Sequence, residues 1–577
     1  MKKSIEMKSK KKRIAILGGG PSGLFVYKRL VESGSNDFEI TIFEKKKELG
    51  SGMPYSTEGA NIEHITNVSD NEVPHIVTSM SEWIYTASAE LLEQYNIKPD
   101  QFNEYKVVPR LLFGSYLAAQ FEILRKTGKK AGIATAVHFE STVTDINYDI
   151  KNQTVTVQTI KGSNHEFDFA VICTGHNWPI RYEGKVPGYY DAPYPPRKLV
   201  QHFNHPVAIK GSSLTAIDAI RTMARNNGLF EKDSEDNLKF KLNPESADFK
   251  IMMHSRSGML PAVRFHLEDS HLSNDSLLTK EEINLHRKSN DGFLSLDFIF
   301  EKDFKEIFSE KDPEFYQRIK DFSIEDFVTD MMELRERLDP FQLLRAEYVQ
   351  AEKSIKRQES IYWKEMLAVL SFAMNHPAKY FSAEDMQRLQ KVLMPLISIV
   401  IAFVPQKSCE ELLALHQAGV LDLVPVGDDS TVEPQNGGGI LYNFVDTNNN
   451  QRSVYYKTFV DCVGQPHLSY DDFPFKSLLD QKAISPARLK FKSSELGQTA
   501  FTTDPEKVEK DENGDYFLNV SGIAINDNFQ IMDQYGAYNK KLYIMAVPYI
   551  GGLNPDYSGL DFCEAASLRI VKDILRD

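Results

Sequence analysis

Three glycines near the start of the chain form the first group of residues whose types and spacing could do chemistry. Gly18, Gly20 and Gly23 follow the pattern GxGxxG, after a short apolar run at 13–17 and before a stretch with helical spacing. In such a motif the glycines permit a tight turn, close approach of the backbone to a phosphate, and close packing of helix on strand. Because the following helix points free N–H groups at the phosphates, we predict a site for the pyrophosphate of a dinucleotide.

An acidic residue stands at the position where such a motif needs one. Residues 38–42 alternate as in a strand, and Glu44 follows them. A carboxylate at the end of this second strand accepts hydrogen bonds from ribose hydroxyls. The strand, the helix and the acid together make the interpretation more specific than the glycine motif alone.

A second strand–turn–helix unit begins at Val207, and its glycine pattern is reduced to Gly211. A strand is expected at 249–253, and Arg256 follows it where the first unit has its acid. A cation there suits a 2′-phosphate, so the sequence favours NADPH over NADH; the alternative is that Arg256 is a solvated loop charge. Hydroxyl groups in the turn can donate to phosphate, from Ser212, Ser213 and Thr215.

Six segments, in this order along the chain, carry a resemblance to a known family. They are GGGPSG at 18–23, GSGMPYS at 50–56, CTGH at 173–176, GSSLTAID at 211–218, SRSGMLP at 255–261 and GGLNPDYS at 551–558. The chain resembles the FAD/NAD(P)-binding flavoproteins that include FAD-dependent urate hydroxylase and the nitrosuccinate-forming L-aspartate N-monooxygenases. More distantly, it is similar to the lysine and ornithine N-hydroxylases.

The resemblance implies roles for individual residues. His64 and Asn67 would lie near the polar edge of the flavin as weak catalytic candidates, although His64 fits a structural role better. For FAD the implied residues are Gly18, Gly20, Pro21, Ser22, Gly23, Glu44, Lys45, Tyr55, Asn67, Thr174, Gly175, Gly559 and Leu560. For NADPH they are Gly211, Ser212, Ser213, Thr215, Ser255 and Arg256, and for the substrate Arg264, Asn554, Tyr557 and Ser558.

The implied activity is that of an FAD-dependent, NADPH-using monooxygenase. A small amine or amino acid would be N-hydroxylated with O2 through a C4a-hydroperoxyflavin, and the resemblance alone points to an aspartate-like substrate. Arg264 would then meet a substrate carboxylate. Two alternatives stay open: a flavin-binding redox or interaction protein with slow NAD(P)H oxidase activity, and carbon hydroxylation of a purine-like ring.

These residues require an α/β fold with two Rossmann-like dinucleotide-binding domains, for FAD and NADPH, and a helical insertion. Charged, helix-favouring sequence with few glycines fills 280–415, and we expect this insertion to cap the active site. Aromatic residues such as Trp363 and Phe372 would line or pack its inner face. The expected segments are 1–200 and 471–577 for FAD, 201–275 and 419–470 for NAD(P)H, and 276–418 for the insertion.

Composition excludes several other functions. A net charge of −14 argues against nucleic acid or an anionic membrane as partner, because both require a basic field. The 4 cysteines lie far apart, so we expect neither a disulfide framework nor a metal site. The basic start lacks an apolar stretch long enough for a secretory signal, and we expect a cytoplasmic protein that acts on a small molecule. The sequence leaves the oligomeric state open.

Overall fold

A parallel sheet built around the glycine motif organises the first part of the chain. The structure, a computed structural model, describes residues 11–268, 277–555 and 559–576. Strand β1 (Lys12–Leu17) is completely buried from Ile14 to Leu17. It pairs in parallel with β2 (Phe38–Phe43) on one side and with β9 (Phe169–Ile172) on the other. The elements are β1 Lys12–Leu17, α1 Pro21–Glu32, β2 Phe38–Phe43, β3 Ile65–Ser69, α2 Met80–Ile84, α3 Ala89–Gln94, β4 Val107–Pro109, α4 Arg110–Lys130, β5 Ala134–His138, β6 Val143–Asp149, β7 Thr154–Thr159, β8 Asn164–Phe167, β9 Phe169–Ile172 and β10 Tyr189–Tyr190.

A second parallel sheet follows, and it repeats the design of the first. Its central strand β11 (Pro206–Lys210) lies between β14 (Lys250–Ser255) and β19 (Thr458–Asp461), both parallel to it. Helix α5 (Leu214–Asn227) follows β11 as α1 follows β1. The long polar segment after α5 folds into an antiparallel hairpin, β12–β13. The elements are β11 Pro206–Lys210, α5 Leu214–Asn227, β12 Gly228–Lys232, β13 Leu238–Leu242 and β14 Lys250–Ser255.

Helices make up the described part of the chain between Lys280 and Gln417. Ser and Thr side chains cap several of them, for example Thr279 and Ser323, each of which accepts from a backbone N–H of the first turn. Two short π-helical stretches, Glu301–Lys305 and Leu389–Leu393, interrupt the α-helical pattern. The helices are α6 Lys280–Ser289, α7 Leu296–Phe300, α8 Phe308–Lys311, α9 Pro313–Ile319, α10 Ile324–Arg337, α11 Pro340–Arg357, α12 Tyr362–Met374, α13 Ala383–Arg388, α14 Met394–Val400 and α15 Gln406–Gln417.

The rest of the chain completes both sheets. Within the described residues the strand order is β10-β19-β11-β14-β15 in the second sheet and β23-β24-β9-β1-β2-β5 in the first. The remaining elements are β15 Leu421–Pro425, β16 Thr431–Pro434, β17 Ile440–Val445, β18 Gln451–Tyr456, β19 Thr458–Asp461, α16 Lys476–Asp480, β20 Pro486–Lys490, α17 Ser494–Thr503, β21 Val508–Lys510, β22 Tyr516–Ile523, β23 Gln530–Met532, β24 Tyr538–Ile544 and α18 Gly559–Arg576.

The insertion packs on both dinucleotide-binding units. Buried residues of the insertion such as Ile283, Phe327 and Val400 share one continuous apolar core with the first unit, whereas Phe341 and Leu412 belong to the core of the second. Helix α15 also places Glu411 against Arg221 of α5, with an Oε2–Nε distance of 2.8 Å. The predicted fold class, two Rossmann-like units with a helical insertion, is therefore confirmed. No helix within residues 11–268, 277–555 and 559–576 is long and apolar enough to cross a bilayer.

Candidate active site

A cavity of about 670 Å³ runs from the glycine motif to the insertion. This volume lies within the range of roughly 300–1,000 Å³ that small-molecule and cofactor sites occupy. Its walls include Gly20 and Glu44 on the side of the first sheet, and Phe372 and Phe403 on the side of the insertion. The structure thus brings the predicted dinucleotide motif and the predicted cap to the walls of one cavity.

The glycine loop has the backbone conformation that the motif predicts. Gly18 has a φ of +114°, and a Cβ there would collide with the carbonyl oxygen of Cys173. Gly20 has an ordinary φ of −76°, lines the cavity, and caps the N-terminus of α1. A Cβ on Gly23 would collide with the carbonyl oxygen of Gly18, so this glycine serves the packing of helix on strand. Pro21 and Ser22 also line the cavity.

Glu44 supports the loop and faces the cavity. Its Oε2 accepts a hydrogen bond from the Gly19 amide at 2.8 Å, and its Oε1 accepts from the Lys46 amide at 2.9 Å. A carboxylate offers about four acceptor positions, so capacity remains for a ribose hydroxyl. Lys45 lines the cavity beside it.

The residues present fit a bound dinucleotide. The Oγ1 of Thr174 is buried in the cavity wall and has no hydrogen-bond partner in the described part of the chain. Such an orphaned hydroxyl is what a polar ligand would satisfy. Tyr55 also lines the cavity; burial raises the pKa of its hydroxyl to about 12 and so keeps it protonated. Gly175 lines the cavity with open space beside its Cα.

The turn of the second unit repeats the first in geometry. Gly211 has a φ of +110°, and a Cβ there would lie 2.8 Å from the carbonyl oxygen of Cys462, as Gly18 faces that of Cys173. The hydroxyl of Ser212, however, donates to the carbonyl oxygen of Met259 at 2.7 Å, so its proton is already used. Ser213 caps α5 without a side-chain hydrogen bond to it, and Thr215 follows in the first turn.

Arg256 directly follows β14, and its side chain is mostly exposed. Its side chain is 75% exposed and lies 3.5 Å from Asp428. Ser255, the last residue of β14, accepts a hydrogen bond from the Gly258 amide at 2.9 Å. An exposed pair of this kind is weak, so Arg256 can turn towards a ligand phosphate at little cost.

His64 lies outside the cavity, in a polar network between the two units. Its Nδ1 accepts from the Asn61 amide at 3.1 Å, so its Nε2 carries the hydrogen and faces the carbonyl oxygen of Asp218 at 3.1 Å. Burial lowers the pKa of His64 and keeps the ring neutral. The Asp218 carboxylate accepts from Arg110 at 2.6 Å and from Tyr194 at 3.0 Å. These contacts tie α5 to the first unit, and they give His64 a structural role instead of the catalytic one considered from the sequence.

Arg264 is buried and fully engaged. Its guanidinium donates to the carbonyl oxygen of Asn67, to the Ser69 hydroxyl at 2.8 Å, and to the carboxylate of Glu72. Asn67 and Glu72 line the cavity, whereas Arg264 does not. The expectation that Arg264 meets a substrate carboxylate therefore does not fit its contacts, because Arg264 is already paired with Glu72 and does not line the cavity.

The C-terminal segment reaches the cavity through α18. Gly559 and Leu560, at its start, line the cavity as expected. Asn554 is buried outside it, and its Nδ2 has no partner among the described residues. Tyr557 and Ser558 lie outside the described residues.

Several cavity residues have no counterpart in the sequence-based site. Glu72, Phe403 and Tyr549 line the cavity but were not predicted to do so. Ser69 and Glu72 do form a capping box, a pattern that is legible in sequence. That pattern predicts a helix start only, and the contact with the cavity depends on tertiary packing.

Comparison with known proteins supports the assignment of the first unit. The family model described as FAD-NAD(P)-binding matches residues 15–177, which contain the glycine loop, Glu44 and Thr174. The model described as YdhS-like middle domain matches residues 279–401, within the helical insertion. The chain therefore contains an FAD-NAD(P)-binding domain, and FAD together with NAD(P)H are its cofactors.

Two curated proteins and one solved structure are similar to this chain over different shares of its length. The protein YdhS of Escherichia coli (strain K12), described as uncharacterized, is 29% identical over 477 residues, which are 82% of this chain and 86% of YdhS. Trimethylamine monooxygenase of Pelagibacter ubique (strain HTCC1002) is 25% identical over 186 residues, 30% of this chain and 38% of that enzyme. The structure of ornithine N-hydroxylase from Kutzneria sp. 744 covers 98% of this chain and 99% of its own, with 12% identity and a TM-score of 0.45. A monooxygenase is thus among the curated proteins to which part of this chain is similar.

Proposed function

We propose that this chain is an FAD-dependent, NADPH-using monooxygenase that hydroxylates the nitrogen of a small amine. The observation that carries the proposal is the single cavity that joins the glycine loop to the apolar wall of the insertion, at Phe372 and Phe403. An oxygenase needs both in one space, because its substrate must meet the cofactor where bulk water is excluded. The similarity to trimethylamine monooxygenase supports oxidation at nitrogen, over the part of the chain that it covers.

The first unit would hold FAD. Glu44 would accept from a ribose hydroxyl, and the free amides at the N-terminus of α1 would face the pyrophosphate. Helix α18, which starts at the cavity with Gly559, would direct its N-terminus towards the flavin. Bound FAD supplies the redox chemistry, in which reducing equivalents from NADPH are passed to O2.

The second unit would bind NADPH less tightly than it would if every hydroxyl of its turn were free to donate to a phosphate. Gly211 in its turn has a positive φ, but the hydroxyl of Ser212 already donates its hydrogen to the carbonyl oxygen of Met259. Phosphate binding would therefore depend on the N-terminus of α5 and on the hydroxyls of Ser213 and Thr215. Arg256 would contact the 2′-phosphate, since its side chain is exposed and its ion-pair partner among the described residues, Asp428, is exposed as well.

The insertion would act as the cap that keeps the cavity dry. Ala368 and Phe372 of α12 line the cavity, and Ile401 and Phe403 extend this apolar surface. Water exclusion favours transfer of oxygen to substrate over release of peroxide. The chain's own contribution is thus to bind, to orient and to exclude solvent.

Product analysis under turnover tests the proposal. FAD-loaded full-length protein is incubated with NADPH, O2 and each member of a panel of small amines, and NADPH use, hydroxylated product and peroxide are measured together. We expect at least one amine to accelerate NADPH use and to yield its N-hydroxy product. Slow NADPH use that yields only peroxide with every amine would instead identify a flavin-binding redox or interaction protein. Oxygen found on the carbon of a purine-like ring would identify the other alternative.

A further inference from the structure

One part of the cavity wall belongs to neither nucleotide motif and has a chemistry of its own. The insertion contributes an apolar surface there, with two aromatic side chains, Phe372 and Phe403, and the aliphatic Ile401. Glu72 lines the same cavity. The lining of the cavity thus includes both an apolar surface and a carboxylate.

Glu72 is held in place by one of its two oxygens. Its Oε2 accepts from the Ser69 amide and the Ser69 hydroxyl, both at 2.8 Å, and from Arg264. Within the described residues its Oε1 accepts no hydrogen bond, and the side chain is only 10% exposed. A carboxylate oxygen without a partner, on a largely buried side chain that lines a cavity, is a hydrogen-bond acceptor that a ligand can satisfy.

Cations are confined to another part of the cavity. Among the described residues, the lysines and arginines that line it are Lys45 and Lys46, which directly follow Glu44. Lys46 already donates to the carbonyl oxygen of Gly52 at 2.9 Å and to the Ser56 hydroxyl at 2.5 Å. A ligand carboxylate placed against the insertion would therefore be desolvated without a counter-ion, which is strongly unfavourable.

We propose that the substrate is an amine with a compact apolar body. Its nitrogen would donate a hydrogen bond to Glu72, and its body would pack against Phe372 and Phe403. This inference rests on the monooxygenase function proposed above and specifies its substrate class. It argues against a dicarboxylic amino acid such as aspartate, because Arg264 is paired with Glu72 and does not line the cavity.

Binding measurements test the substrate class without turnover. Benzylamine and L-aspartate are titrated by calorimetry into FAD-loaded full-length protein, so that affinity is read directly. We expect benzylamine to bind and L-aspartate not to bind. Glu72→Gln removes the charge and should weaken benzylamine binding roughly ten- to a hundredfold, because a charge-assisted hydrogen bond is lost. The matched control, Glu104→Gln, changes an exposed side chain of the loop next to Asn71 and should bind as the wild type does.

A second variant covers the case in which Glu72→Gln fails to fold because Arg264 is left unpaired. Phe372 is half-buried, so Phe372→Lys can extend its long side chain along the cavity. It should weaken benzylamine binding and create binding of L-aspartate. Tighter binding of L-aspartate than of benzylamine by the wild type would overturn the inference, as would unchanged benzylamine affinity in Glu72→Gln or Phe372→Lys. Failure of the monooxygenase function would look different: benzylamine would bind, and NADPH use with every bound amine would yield only peroxide.

Discussion

Two aromatic residues of helix α12 allow the role of the insertion as a cap to be separated from its role in folding. Phe372 lines the cavity, whereas Trp363 packs against the apolar core outside the cavity. Both side chains are half-buried. Truncation of a completely buried aromatic ring lowers the free energy of unfolding by about 3–5 kcal/mol. Because both rings are only partly buried, we expect Phe372→Asn and Trp363→Asn to lower it by about 1–3 kcal/mol each. The two variants should therefore lose similar stability.

Their effects on catalysis should differ. An amide at position 372 brings a polar group and its bound water into the cavity. A change of about 1.4 kcal/mol in the difference between the activation free energies of substrate oxidation and peroxide release alters the ratio of the two products roughly tenfold. We expect Phe372→Asn to use NADPH normally, to release more peroxide and to form less hydroxylated product. Trp363→Asn should keep the wild-type ratio. Thermal midpoint, flavin content, peroxide and product are measured on the same samples. A destabilised Phe372→Asn with unchanged coupling, or equal uncoupling in both variants, would refute the cap.

Two further predictions concern the second nucleotide unit and the insertion. Arg256→Ala should raise the KM for NADPH roughly ten- to a hundredfold and leave the KM for NADH unchanged, since only NADPH carries the 2′-phosphate. Steady-state kinetics with both cofactors measure this, and equal effects on the two KM values would show that Arg256 does not bind the 2′-phosphate. Burial raises the pKa of Asp303 to about 7, whereas this carboxyl has its ordinary pKa of 3.8 in the unfolded chain. Between these two pH values the folded state therefore binds one more proton than the unfolded state. As a result, the free energy of unfolding falls as pH rises from about 4 to about 7. Asp303→Asn should therefore stabilise the protein above pH 7 by roughly 2–4 kcal/mol and not at pH 4, as measured by denaturant unfolding at both pH values; equal effects at both would contradict the assignment.

The parts of the fold that depend on local sequence could be predicted. Gly18 and Gly211 both have a positive φ in their turns. Glycine adopts such a φ readily because it has no side chain, so the few residues around each glycine are enough to predict the turn. The apolar runs on either side of each turn then place the strand before it and the helix after it. The helical character of the insertion was likewise visible, because capping residues and periodicity are local signals.

The use of polar residues could not be predicted, because it depends on partners far along the chain. Arg264 looked like a cation available to a substrate, but it pairs with Glu72, which is 192 residues earlier. His64 looked like a residue beside the flavin, but its Nε2 faces Asp218, which is 154 residues later. Ser212 kept the hydroxyl that a phosphate site needs, and only the packed structure shows that the hydroxyl donates to Met259. Residue types indicate possible chemistry, and tertiary contacts decide whether each group remains available.

The flavin content of the purified protein tests the central claim most directly, with Gly20→Val as the matched variant. Gly20 has a φ of −76°, which valine can adopt, and its Cβ would lie 3.1 Å from the Cα of Gly52, so the fold should survive with a small adjustment. The branched side chain would, however, enter the cavity where the pyrophosphate is expected to bind. We expect yellow wild-type protein with stoichiometric, non-covalent FAD, and a folded, colourless variant whose affinity for FAD is lower by at least about 2.7 kcal/mol, or roughly a hundredfold. Wild-type protein that takes up no FAD, or a variant that retains stoichiometric FAD, would contradict the account.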